Sequence, residues 1–171
     1  ASLHQLTGLR KLAIYKLNIR EGGQTFKQLR SSIEYLCSCG LQTLAINDES
    51  SNFINSLDTM TTPRYIIGLE VSGKMERPPK WIKDLKNLYK LTLSVTVLRT
   101  NTLRLIQDLP KLFTLTFTLS TAKDDRDIVD ILEENKQLTD REIIIPPGGF
   151  KRLKLLRFFA TMVPRLSFAV T

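Results

Sequence analysis

Leu85-Lys86-Asn87-Leu88-Tyr89-Lys90-Leu91-Thr92-Leu93 is the stretch whose reading decides the fold. Its leucines fall at intervals of three, three and two residues. Three-residue spacing suits a turn that winds inward, whereas the closing apolar-x-apolar pair has the alternation of a strand with one buried face. The phrase therefore predicts a turn that delivers the chain into a short strand. It returns as Leu6, Leu9, Leu12, Ile14 and as Leu109, Leu112, Leu115, Phe117. With phenylalanine in first place it occurs again as Phe150, Leu153, Leu156, Phe158. Shorter copies keep three anchors: Leu41, Leu44, Ile46 and Ile66, Leu69, Val71. Leucine supplies 28 of the 171 residues, and its placement carries more meaning than its number.

Taking Leu12, Leu44, Leu69, Leu91, Leu115 and Leu156 as equivalent, the steps between copies are 32, 25, 22, 24 and 41 residues. Most lie near the roughly 20 to 29 residues of a leucine-rich repeat. The expectation is an α/β leucine-rich repeat solenoid, a horseshoe with short parallel strands on its concave face and irregular helices and loops on its convex face. The long steps hold the convex elements. Phe26, Leu29, Ile33 and Leu36 fall at helical spacing, which predicts an amphipathic helix over Thr25 to Cys37. Ser51 is the expected cap of a short turn carrying Phe53, Ile54 and Leu57. Asp124 or Asp125 caps an expected helix to Gln137 that buries Ile128, Ile131 and Leu132 before Pro146-Pro147-Gly148-Gly149. The step of 41 leaves open whether Ile143 to Ile145 is an additional repeat. Residues 1–171 thus read as a partial repeat domain of about six to eight irregular repeats, truncated at both ends. A full phrase opens at Leu6, and the chain closes on the alternation Leu166, Phe168, Ala169, Val170.

Composition excludes several classes. With 42% hydrophobic and 25% charged residues the chain can build a core and is not a disordered tail. No apolar run approaches the ~20 residues of a membrane-spanning helix. Cys37 and Cys39 stand too close for an unstrained disulfide, and there is no Asn-x-Ser/Thr sequon or N-terminal secretion signal. These features point to a reducing compartment, the cytosol. The formal charge of +8 raises nucleic acid or an acidic partner as ligands.

Four stretches resemble the repeat region of one family: Leu6-Thr7-Gly8-Leu9-Arg10-Lys11-Leu12, Ser31-Ser32-Ile33-Glu34-Tyr35-Leu36, Pro78-Pro79-Lys80-Trp81-Ile82 with Leu85-Lys86-Asn87-Leu88, and Pro147-Gly148-Gly149-Phe150. The family is that of plant intracellular disease-resistance proteins, cereal members above all, which join a coiled coil, a nucleotide-binding switch domain and C-terminal repeats. The resemblance implies a sensor and autoinhibition segment. Its partners would be a pathogen effector or a guarded host protein, and the switch domain of the same chain. It also implies a cytoplasmic or nuclear receptor that assembles only as the full-length protein. ADP or ATP would be bound in the separate nucleotide-binding domain, with no cofactor here. One departure is the missing asparagine ladder: Tyr15, Asn47, Ser72, Ser94 and Thr118 follow the last anchors without a common pattern.

Little in the sequence suggests catalysis. Gly68, Gly73 and Lys74 match a phosphate-binding loop, but Met75 stands where that loop needs Ser or Thr for Mg²⁺. Cys37-Ser38-Cys39 would supply two thiolates, and His4 is the only histidine, too few for a structural zinc site or most general-base schemes. Asp124-Asp125 and Glu133-Glu134 are explained as helix surface and helix-terminus charge. The expectation is a binding module and no enzyme. Two basic stretches stand out: Arg77, Lys80, Lys83, Lys86 and Lys90 around Trp81, and Lys151, Arg152, Lys154, Arg157 and Arg165. Trp81 reads as a core anchor, which does not favour nucleic acid. Side chains alternating with the buried anchors face the concave surface. The candidate interaction residues there are Lys11, Tyr15, Glu70, Lys90, Thr92, Thr114, Thr116, Arg157 and Phe159. Alternatives to an immune sensor are a basic nucleic-acid-binding solenoid and a repeat adaptor of a ubiquitin-ligase substrate receptor.

Overall fold

The computed structural model describes residues 3–49, 52–75, 77–95, 100–119, 143–145, 147–159 and 166–168. Within them each leucine phrase ends in a strand, as its closing alternation demands. These are β1 Lys11–Leu17, β2 Thr43–Asp48, β3 Gly68–Met75, β4 Lys90–Val95 and β5 Thr114–Leu119. Three more follow: β6 Ile143–Ile145, β7 Leu155–Phe159 and β8 Leu166–Phe168. The main sheet has six parallel strands in the order β1-β2-β3-β4-β5-β7 and is open.

The register is that of the leucine anchors. Leu12 lies opposite Leu44, Leu44 opposite Leu69, Leu69 opposite Leu91, Leu91 opposite Leu115, and Leu115 opposite Leu156. A slip of one residue would turn every anchor to the other face, so burial alone fixes the pairing. Beside this stack runs a second one, Ile46, Val71, Leu93 and Phe117, buried like Leu44, Leu69, Leu91 and Leu115 of the first. The core is densest in the middle strands: Leu12 in β1 is half-buried and Leu156 in β7 is exposed.

Where each turn enters its strand, one carbonyl serves two donors. The Arg10 carbonyl accepts from Gln42 and Thr43 N–H, that of Gln42 from Ile67 and Gly68, and that of Ile67 from Tyr89 and Lys90. The Tyr89 carbonyl accepts from Phe113 and Thr114, and that of Phe113 from Lys154 and Leu155, all at 2.7 to 3.1 Å. This ladder satisfies backbone groups that a tight turn would otherwise leave without partners. It also locks successive turns at one edge of the sheet.

The convex side follows the step lengths. Helix α1, Gln24–Ser38, is one residue longer at each end than its apolar spacing predicts and buries Phe26, Ile33 and Leu36. Phe26 meets Phe53 edge-on at 5.2 Å. Helix α2, Asn52–Ser56, continues into a 3-10 turn at Leu57–Thr59. Its cap is Asp48, whose Oδ2 accepts from the N–H groups of Phe53 at 2.9 Å and Ile54 at 3.1 Å. Ser51, the cap expected from sequence, lies outside the described residues. In the next repeat a 3-10 turn, Lys80–Asp84, carries Trp81, whose Nε1–H donates to the Leu57 carbonyl at 2.7 Å. A third helix, α3 Thr100–Ile106, buries Leu103 and Ile106. The expected helix from Asp124 to Gln137 lies outside the described residues.

The step of 41 residues resolves simply, because β7 pairs directly with β5. Ile143–Ile145 adds no strand to the main sheet. It pairs in parallel with Leu166–Phe168 in a separate two-stranded sheet, and β6 packs against α3. The alternation at Leu166 and Phe168 therefore does not extend the concave face. The missing asparagine ladder is replaced at one point: Asn47 Oδ1 accepts from Lys16 N–H at 3.1 Å, and Asn47 Nδ2 donates to Ser72 Oγ at 2.8 Å. Lys16 has φ +54° at this bulge, where the β1–β2 register shifts.

Asp48→Ala is expected to lower unfolding stability by about 1–3 kcal/mol, since it strands two buried N–H donors at once. Ser94→Ala is expected to change it by less than about 0.5 kcal/mol. Urea denaturation of both variants checks this, and equal midpoints would show that the Asp48 cap carries no such weight.

Candidate functional site

The backbone register fixes which side chains share the face opposite the core. One row runs Lys11, Thr43, Gly68, Lys90, Thr114, Leu155; the next runs Ala13, Ala45, Glu70, Thr92, Thr116, Arg157. Tyr15 and Phe159 stand at the two ends of the sheet, 64% and 58% exposed. All nine candidate residues thus lie on the side of the strands that the alternation predicts. They are not equally reachable. Lys11, Lys90 and Arg157 are exposed and Glu70 and Thr92 half-buried, but Thr114 and Thr116 are only 8% and 7% exposed. Their short branched side chains sit in register between Lys90 and Leu155 and between Thr92 and Arg157. They form part of the floor of this surface, a correction to the expectation that every outward row is open.

Charge along the second row is separated, not paired. Glu70 and Arg157 stand three strands apart, about 14 Å at ordinary strand spacing, with Thr92 and Thr116 between them. The face therefore offers an acid and a base to different parts of one partner. The basic stretch around Trp81 divides in the same way. Arg77, Lys80, Lys83, Lys86 and Lys90 are exposed, while Trp81 is buried with its N–H on the Leu57 carbonyl. Trp81 is a core anchor, and its ring is not a platform for stacking. Lys151, Arg152 and Lys154 are exposed too, and Arg165 lies outside the described residues.

The sequence signals for chemistry resolve into structure. Gly68 to Met75 is strand β3, paired with β2 from Gly68 to Gly73 and with β4 from Gly68 to Val71, so it is an extended strand and not a loop wrapped around a phosphate. Gly73 has φ +151°, and a Cβ built there would overlap the Asp48 carbonyl oxygen. That glycine permits close approach of two strands, and the segment does not fit a nucleotide's phosphates. His4 Nδ1 hydrogen-bonds with Ser32 Oγ at 3.0 Å, and its ring stacks on Tyr35 at 4.8 Å. Among the described residues no group of three or more His, Cys, Asp and Glu is placed to hold a metal.

Cys37 is buried in the last turn of α1, and Cys39 follows as the residue capping the helix. Burial pushes the Cys37 thiol from its ordinary 9.0 to about 12, with the Glu34 carboxylate adding in the same direction. Beside it, a side-chain hydrogen bond to Cys39 raises the Tyr35 phenol above its ordinary value. A groove of about 650 Å³ opens between α1 and residues 61–65, lined by Arg30, Glu34, Tyr35, Thr61 and Tyr65 among others. Glu34 there accepts from Thr61 Oγ1 at 3.0 Å, and Arg30 donates to Ser56 O at 3.1 Å and Thr59 Oγ1 at 2.7 Å. These bonds tie α1 to the end of α2, to the 3-10 turn after it and to Thr61, which is a structural use of the groove's polar groups.

A parallel sheet with leucines in register, turns of 22 to 25 residues at its centre and an unpaired outward face defines a leucine-rich repeat protein. The chain belongs to that family: the model of a leucine-rich repeat region matches residues 1–170. It is similar to three rice (Oryza sativa subsp. japonica) proteins. The disease resistance proteins Pik-2 and Pikm2-TS are each 68% identical over 172 residues, and PIK6-NP is 64% identical over the same length. These matches cover 98% of this chain, which spans 16 to 17% of the length of those relatives. No solved structure matches the chain. Among the described residues no helix is long and apolar enough to cross a membrane.

Raising a buried thiol has a defined sign. The unfolded chain loses the Cys37 proton near 9 and the folded chain only near 12, so the folded form is favoured fully below 9 and progressively less as pH climbs towards 12. Cys37→Ala is expected to flatten that decline in urea unfolding between pH 9 and pH 12, the window of the shift. An unchanged slope would mean that Cys37 is not the group responsible.

Proposed function

We propose that this chain is an interaction segment of a plant intracellular immune receptor, serving both to sense a partner and to restrain the receptor at rest. The observation that carries the reading is the register that gathers Lys11, Tyr15, Glu70, Lys90, Arg157 and Phe159 on one face of six strands. The 68% identity to rice disease resistance proteins supports the setting. The partner is a pathogen effector or a guarded host protein, and at rest the switch domain of the same receptor. The mechanism is binding without catalysis. An effector moves a switch only if it prefers one state over the other, so the concave face must contact the two states differently. In this reading the nucleotide sits in another domain, the receptor works in the cytoplasm or nucleus, and any oligomer forms through the full-length protein.

The test is charge reversal at Lys90 and Arg157 in the full-length receptor. Lys90→Glu with Arg157→Glu is expected either to cut the partner-triggered response at least about fivefold, the lower end of ordinary coupling between sites, or to release signalling at rest. A receptor that stays silent at rest and responds normally would remove the concave face from the mechanism.

A further inference from the structure

The edge of the sheet where the chain enters its strands carries most of the molecule's net charge. In the five residues ahead of each main-sheet strand, 6–10, 38–42, 63–67, 85–89, 109–113 and 150–154, there are seven basic residues and no acidic one. Arg10 and Arg64 lie towards the first strands, Lys86 and Lys111 in the middle, and Lys151, Arg152 and Lys154 at the far end, all exposed. The whole chain's formal charge is +8. The acidic residues nearest in sequence, Asp84 and Asp108, stand one position ahead of this band and are exposed.

Within the band runs an apolar strip. Ile67, Tyr89 and Phe113 each hold the last position before a strand, with Ile67 42% and Tyr89 51% exposed. The carbonyl ladder joins them directly, Tyr89 N–H to Ile67 O and Phe113 N–H to Tyr89 O, both at 2.8 Å. The rings of Tyr89 and Phe113 stack at 4.9 Å and 5°. Each ring covers a face of the other, and ring edges carry the positive end of the aromatic quadrupole. Alongside, Lys111 Nζ donates to Asn87 Oδ1 at 3.0 Å, which holds one cation over the neighbouring turn. A partner therefore meets side chains already ordered, and binding costs less conformational entropy.

We propose that this edge docks an acidic polypeptide segment that also bears aromatic or aliphatic side chains. Its apolar groups cover Ile67, Tyr89 and Phe113 while its carboxylates meet Lys86, Lys111 and the basic turn at 151–154. Charge complementarity selects the occupant, and the strip from Ile67 to Lys154 sets its size at about 14 Å, roughly four residues of extended chain. Single-stranded nucleic acid is the lesser fit, because base stacking needs open ring faces and these two rings already use a face on each other. The proposal rests on the reading of the chain as an interaction segment and adds a surface separate from the concave face.

Fluorescence anisotropy reads this with three labelled probes: a random copolymer of glutamate and tyrosine, polyglutamate of equal length, and single-stranded oligothymidine. The copolymer is expected to bind at least about tenfold more tightly than polyglutamate, and Lys86→Glu with Lys111→Glu to weaken it about tenfold. Tyr89→Ser with Phe113→Ser is expected to abolish the preference for copolymer over polyglutamate, and Lys27→Glu, on the exposed side of α1, to change nothing. Absence of copolymer binding at low salt, tighter binding of oligothymidine, or equal loss in Lys27→Glu overturns the proposal. If the aromatic variant fails to fold by circular dichroism, the exposed lysine pair decides. This assay reads peptide binding and the concave variants read signalling, so either proposal can fall without the other.

Discussion

A repeat of this kind can cover its leucines only with the leucines of the repeat beside it, so burial and register are one requirement. The stack Leu44, Leu69, Leu91, Leu115 is buried because each member lies opposite the next across a parallel pairing. Everything else hangs on that alignment. The shared carbonyls at the strand entrances, the outward rows of side chains and the edge of basic turns are all periodic because the leucines are.

The variable parts sit where the constraint is weakest. Between one strand and the next, any structure serves that returns the chain to the same edge and closes the convex side. A 15-residue helix does so after β1, a short helix and 3-10 turn after β2, and a 3-10 turn with Trp81 after β3. The last two are held by polar contacts of different kinds. Asp48 caps α2, Asp58 accepts from Lys80 N–H at 2.8 Å, and Trp81 donates to the Leu57 carbonyl. In regular repeats an asparagine ladder does this work uniformly, and here it is dispersed among individual contacts.

Charge acquires meaning only on this frame. The formal +8 is uninformative as a sum. Distributed over the solenoid, it separates into an edge with seven cations and a concave face on which Glu70 stands three strands from Arg157. The two surfaces differ in electrostatic character, one nearly all basic and the other carrying separated charges of both signs.

The sequence alone determined the repeating unit, the equivalence of Leu12, Leu44, Leu69, Leu91, Leu115 and Leu156, the helix in the first long step, and which residues face outward. These are local or periodic properties, set by side-chain alternation and hydrophobic spacing. Only the tertiary structure decided the remainder. Asp48 is the last residue of strand β2, four positions ahead of α2, and its carboxylate reaches the N–H groups of Phe53 and Ile54. Thr114 and Thr116 alternate as outward residues do but are covered by their neighbours in register. Ile143–Ile145 has the composition of a core strand, yet pairs with Leu166–Phe168 in a separate sheet. The basic edge gathers residues up to 144 positions apart in the chain, from Arg10 to Lys154. Apart from the Asp48 cap, which is local, the deciding contacts join segments far apart in the chain, and a linear pattern does not encode which neighbours a residue will meet.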